Sequence, residues 1–125
     1  MPVSFKIDKE RKLVICTVFG ELVDADGPTG QRLLLEDPDF DPSFSQLLDL
    51  TQVTKVDMDA ETVRTLARTS VFSPDARRAL VANSAVLFGF ARMFELLRET
   101  VGGAPVQVFR SREEALHWLL EENAK

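Results

Sequence analysis

Cysteine, histidine and long apolar runs are all scarce in this chain, and each shortage closes off a class of chemistry. Cys16 is the only cysteine among 125 residues, so no internal disulfide can form. Set inside an apolar strand, it reads as a small core residue of a reducing compartment. His117 is the only histidine, so one chain cannot assemble a Cys/His metal cluster, and neither a metal nor a cofactor is expected. A Ser–His–Asp triad survives mere counting, yet no G-x-S-x-G elbow is present to expose a nucleophile. Basic residues are outnumbered, 15 Lys and Arg against 20 Asp and Glu, for a net charge of −5. Nucleic acid is therefore not an expected partner, because phosphate backbones are bound by clustered cations. The longest apolar run, Ala85 to Ala91, falls far short of the roughly 18 residues of a membrane span. Met1-Pro2-Val3-Ser4 lacks the basic and apolar regions of a signal peptide. These features predict a cytoplasmic protein with no transmembrane segment. No internal repeat, low-complexity segment or linker breaks the chain, which predicts one domain over residues 1–125.

What is present is an alternation of strands and helices. Val3, Phe5 and Ile7 alternate with Ser4, Lys6 and Asp8, the period of a strand with one wet face. A polar turn over residues 8–11 leads to a second strand, Leu13 to Phe19, ended by Gly20. A hairpin makes the two antiparallel, with the first at the edge. Asp24, Asp26 and Pro28 supply the caps and first turn of a helix to about Glu36. Leu47 to Leu50 is apolar except for Asp49 and reads as a buried strand. Its carboxylate either bonds N–H groups near Thr51 and Val53 or takes a ligand or acid–base role. Ala60, Val63, Leu66 and Ala67 then mark one helix face, opposite Glu61, Arg64 and Arg68. Residues 78–83 form a short strand, and Ser84 opens a strongly apolar helix to Val101, stopped by Gly102-Gly103. Pro105 to Phe109 is the last strand, and Ser111 and Glu114 make the capping box of a final helix. The predicted fold is α/β, a mixed five-stranded sheet with four helices in the order ββαβαβαβα. Parallel crossovers in such sheets are right-handed.

That order, with the central stretch LLDLTQVTKVDMDA, resembles the STAS family, the anti-sigma-factor antagonist (SpoIIAA-like) fold. Those domains carry an apolar strand, a short loop, then Asp, one or two hydroxyl residues and Gly at a helix start. More closely, the chain resembles a bacterial subgroup of small uncharacterised STAS-like proteins, related in fold to Sec14 lipid-binding domains. The shared segments are EDPDF at residues 36–40, GFARMF at 89–94 and VFRSREEALHWL at 108–119. Aligned by motif, Asp57 takes the family's acidic position, Met58 the phosphoacceptor's, Asp59 the second hydroxyl's and Ala60 the glycine's. Methionine has no hydroxyl to phosphorylate. The usual switch adds roughly −1.5 to −2 charges at this helix end, where Asp59 already places a carboxylate favoured by the helix dipole. The resemblance thus implies a module that cannot be switched there in the family's way.

Other constellations are weaker. Counting from Asp37, an apparent calcium loop has Pro42 at its sixth position and Leu48 at its twelfth, where Gly and Glu are required. Gly27-Pro28-Thr29-Gly30 lacks the Lys and hydroxyl of a phosphate loop. His117 reads as a surface residue. The third helix is unusual, since Phe90, Phe94, Leu97 and Val101 form one stripe while Val86, Leu87, Phe88, Met93 and Leu96 spread round the cylinder. Its apolar arc exceeds the roughly 100° of an ordinary surface helix. Core packing, a subunit interface and an apolar ligand all account for that width. Gly89 inside it suggests a closely packed neighbour.

The leading expectation is a non-catalytic regulatory or interaction module that presents Asp57, Met58 and Asp59 to a protein partner or to a second copy of itself. The alternative is a carrier of a lipid-like or other small apolar molecule. Its pocket, or in the first case an apolar interface, would be built from Phe90, Met93, Phe94 and Leu97.

Overall fold

The computed structural model describes residues 3–101 and 106–121, with the side chain of residue 101 also outside the description. The expected Gly102-Gly103 stop and Pro105 lie outside those residues. Strands β1 (Val3–Asp8), β2 (Leu13–Val23), β3 (Ser45–Asp57), β4 (Arg78–Val81) and β5 (Val106–Phe109) join in one sheet. Their spatial order is their chain order, with β1 antiparallel to β2 and every other neighbour parallel. Helices α1 (Asp26–Glu36), α2 (Ala60–Arg68), α3 (Ala85–Val101) and α4 (Arg112–Leu120) complete the expected α/β architecture.

Each of the three parallel crossovers steps to the next strand in the same direction. Right-handed connections therefore put α1, α2 and α3 on one face of the sheet and leave the other to α4. The core divides accordingly. Val18, Leu50 and Leu80 pack with Val63 and Ala67 of α2 and with Leu87, Ala91 and Phe94 of α3. Val14 and Cys16 pack with Leu34 of α1, Phe44 and Phe72. On the opposite face Leu13, Leu47, Ala79 and Val81 meet Ala115 and Leu119.

The central strands are longer than their apolar residues suggest. β2 runs past Gly20 to Val23, and β3 continues to Asp57, so most of the expected loop after Leu50 is strand. Three residues of β2, from Thr17 to Phe19, face four of β3, from Asp49 to Gln52, and a second shift follows Gly20. These are bulges, which sharpen twist. Gly20 has φ +76°, a left-handed conformation that glycine adopts without a Cβ penalty. Because β4 pairs with β3 only up to Asp49, the later residues of β3 pair with β2 alone. They form a two-stranded arm reaching beyond the rest of the sheet.

Local signals otherwise act as expected. Ser84 Oγ accepts from Leu87 N at 3.2 Å, and Ser111 Oγ accepts from Glu114 N at 3.2 Å. One cap differs: α1 has Ala25 at its N-cap and no side-chain cap. Asp26 instead folds back, its Oδ2 accepting from Val23 N at 2.7 Å, which ties the end of β2 to the helix start. Among the described residues no helix is long and apolar enough to cross a membrane.

Candidate functional site

The arm of β2 and β3 delivers the acidic tip. Asp57 is the last residue of β3, and only residues 58 and 59 separate it from α2. Asp59 takes the N-cap, its Oδ1 accepting from Thr62 N at 2.7 Å. Bonds from Thr62, chiefly its backbone N–H, hold the Asp59 carboxyl below its ordinary value of 3.8. Asp59 N donates to Asp24 Oδ1 at 3.0 Å, so the tip is tied to the end of β2. Asp24, Asp57 and Asp59 are exposed. Met58 between them is half-buried and turns inward.

Met58 turns towards a cavity. Between α1, the sheet and the inner sides of α2 and α3 lies a space of about 140 Å³, lined mainly by apolar side chains. β1 contributes Val3 and Phe5, α1 contributes Gly30 and Leu34, and α3 contributes Phe90 and Phe94, while Met58 and Leu66 line it from the α2 side. Gly27 permits α1 to sit against α2: a Cβ there would lie 2.6 Å from Leu66 Cδ2. That is the close approach the sequence suggested for Gly89, around which a Cβ would meet nothing within 4 Å.

One polar chain crosses the cavity wall. The register sets Gln46 of β3 beside Arg78 of β4. Arg78 Nε donates to Gln46 Oε1 at 2.9 Å, and Gln46 Nε2 donates to Cys16 Sγ at 3.4 Å. The guanidinium also lies 5.3 Å from the Phe72 ring centre and 5.8 Å from that of Phe94. Burial pushes Arg78 down to about 10, helped by the positive charge of Arg98. Burial likewise raises the Cys16 thiol, keeping it protonated and unreactive. Arg98 is buried too, its Nη1 donating to Ala67 O at 2.8 Å.

The four apolar residues expected to act together on α3 divide. Phe90 and Phe94 line the cavity, and Leu97 packs half-buried against the core. Met93, 41% exposed, stands on the outer surface with Val86 at 76% and Leu96 at 52%. The buried edge also carries two charged residues, Glu95 and Arg98, with Glu95 paired to Arg92 one turn earlier.

Asp49 does bond the chain just after it: Oδ1 accepts from Thr51 N at 2.9 Å and from Thr51 Oγ1 at 2.7 Å. Its other oxygen accepts from Arg112 Nη1 at 2.9 Å, a pair joining β3 to the start of α4 across 63 residues. With both oxygens engaged and 5% of the residue exposed, Asp49 works as a fastening. His117 is exposed, and among the described residues no three His, Cys, Asp or Glu side chains gather as metal ligands would. The acidic stretch after α1 is a series of turns, with Asp37 accepting from Asp39 N and Asp41 from Ser43 N, both at 2.9 Å. Phe40 within it packs edge-on against Phe72 with ring centres 5.4 Å apart.

Sequence reasoning missed Arg78, Gln46 and Cys16 as a connected group. The one available signal was a charged residue opening an otherwise apolar strand, RALV. It missed Arg112 because partners distant in sequence leave no spacing to read.

No family model matches this chain, and no curated protein matches it. Among solved structures, it is similar to an uncharacterised protein of the DUF3478 family from Shewanella loihica PV-4, described as having a SpoIIAA-like fold. The TM-score is 0.60 at 16% sequence identity, over 94% of this chain and 93% of the other. At that identity the likeness speaks to architecture.

Proposed function

Starting from a SpoIIAA-like fold, we propose that this chain is a non-catalytic, cytoplasmic, single-domain binding module that holds a small, largely apolar molecule beneath α1. The observation that carries this is the 140 Å³ apolar cavity. A cavity of about 150 Å³ lined by apolar side chains stays dry and takes up benzene, so this one has room for a single ring or a short branched chain. Met58, which stands where STAS proteins have a phosphoacceptor, lines the same space. The position thus contributes to a binding wall in place of a phosphorylation switch. Met58 lies between the exposed Asp57 and Asp59, so the acidic tip expected to meet a protein partner adjoins the cavity.

Methyl NMR titration with indole tests the proposal. Saturable shifts are expected at Met58, Leu34 and Leu66, which line the cavity, and none at Met93 on the outer surface. Shifts confined to Met93 and its neighbours would refute it.

A second function, association with a protein partner or a second copy, is favoured by the exposed apolar edge of α3. Val86, Met93 and Leu96 fall within one arc of the helix. Leu96→Lys should leave stability unchanged and abolish any self-association seen by analytical ultracentrifugation; association that survives the substitution excludes this edge.

A further inference from the structure

We propose that the molecule held beneath α1 is a small monocarboxylate, its apolar body in the cavity and its carboxylate on Arg78. This rests on the binding function proposed above and adds the chemical class of the ligand. Arg78 lines the cavity and is 7% exposed. Of its donors, Nε is engaged by Gln46, while Nη1 has no acceptor among the described residues. No carboxylate among those residues lies within ion-pair distance of it; the groups acting on it are Arg98, a second cation, and the neutral Cys16. Taking an isolated charge out of water costs several kcal/mol unless it is paired and hydrogen-bonded. Structural arginines meet that requirement with a fixed carboxylate or carbonyls, as Arg98 partly does with Ala67 O. Among the described residues Arg78 has only the Gln46 side-chain carbonyl; Arg98 likewise keeps an unpartnered Nε, but of the two only Arg78 lines the cavity.

The surroundings also say what the missing partner is like. The Phe72 and Phe94 ring centres lie 5.3 and 5.8 Å from the guanidinium carbon, so aromatic rings crowd the group, while an N–H at its edge, on Nη1, has no acceptor among the described residues. In-plane, two-point contact is the geometry a carboxylate makes with arginine. Asp26 lines the same space along with Leu34, Met58, Leu66 and Phe90, so a doubly charged phosphate would set two negative charges against a carboxylate already present. A single negative charge adds the least repulsion and matches Arg78 one for one. The volume sets the body at about one ring or a branched chain of similar size. Phenylacetate and compact branched acids fit this description, and long-chain acids exceed it.

Calorimetry with phenylacetate and its neutral counterpart phenylacetamide, on the unmodified protein at pH 7.5, tests this without any substitution. The acid is expected to bind at least tenfold more tightly than the amide. Equal affinity, or preference for the amide, overturns the carboxylate assignment while leaving an apolar pocket. Binding of neither, with no indole response, overturns the pocket as well. Arg78→Met, confirmed as folded by circular dichroism, should erase the acid's advantage and retain the amide's affinity; an advantage that persists also overturns the assignment. Palmitate binding more tightly than phenylacetate would overturn the size limit.

Discussion

Gly30 gives the sharpest separation between a space kept open for a ligand and a space merely left by imperfect packing. It lies in the interior of α1 and lines the cavity, and a Cβ built there meets only Val3 Cγ1, at 4.0 Å. Alanine therefore fits without clash. It removes backbone freedom from the unfolded chain and is worth about 0.8–1.0 kcal/mol in a helix interior. Leucine gains slightly less from propensity but places an apolar side chain into the cavity, where burial is worth roughly 1.5–3 kcal/mol. Gly30→Leu should thus be the more stable variant by about 2–3 kcal/mol over the natural chain once some packing misfit is allowed for. A protein of this size moves by roughly 3–6 °C per kcal/mol. Urea unfolding at pH 7.5 with indole present or absent measures both effects together. The expected result is a rising midpoint from Gly30 to Ala to Leu, with the indole-induced increment lost in the leucine variant. Gly27→Ala supplies the opposite control, because its Cβ would press on Leu66 at 2.6 Å and precede Pro28; it should lose about 1 kcal/mol. If Gly30→Leu is destabilised, or binds indole as the natural chain does, the cavity is not where the probe sits.

Two further predictions concern the polar fastenings. Arg112→Met should destabilise by about 2 kcal/mol in urea unfolding, since it leaves Asp49 buried with Thr51 alone, and the half-exposed arginine keeps the loss below that of a fully buried pair; pairing it with Asp49→Asn should recover most of the loss, and failure to do so would mean the ion pair is not what fastens α4. The Asp59 carboxyl is held below 3.8 by Thr62, so its contribution is complete above that pH and disappears as pH falls through the lowered folded value. The melting temperature of Asp59→Ala should therefore lie below that of the natural chain at pH 6 and converge with it in strong acid, while a gap independent of pH would show that the cap acts without its charge.

Much of the fold was legible because it is written in short-range pattern. The alternation over Val3–Asp8, the Ser84 and Ser111 caps, and Asp59 before a helical period each act within a few residues. Physics at that range does not wait for the rest of the chain. The reach of β3 was illegible for an equally specific reason. Its inward residues after Asp49 are Leu50, Val53 and Val56, three apart, because two bulges each insert a residue. A strand bulged twice loses its period of two and mimics the spacing of a helix or loop.

The candidate site was legible in part. Phe90 and Phe94 stood out by composition, and both reach the cavity. Met93 sits one residue before Phe94, yet a helix turns about 100° per residue and carries it to the surface. Nor did spacing reveal the group of Cys16, Gln46 and Arg78, spread over 63 positions and joined only by strand register. By itself the sequence determined the elements, their order and their caps, all matters of local hydrogen bonding and periodic burial. Tertiary structure alone decided that α1 stands off the sheet by the volume of a ring, and that a buried cation with no counterion among the described residues lines the gap. Volume and charge pairing are sums over residues from every element, and no one segment contains them.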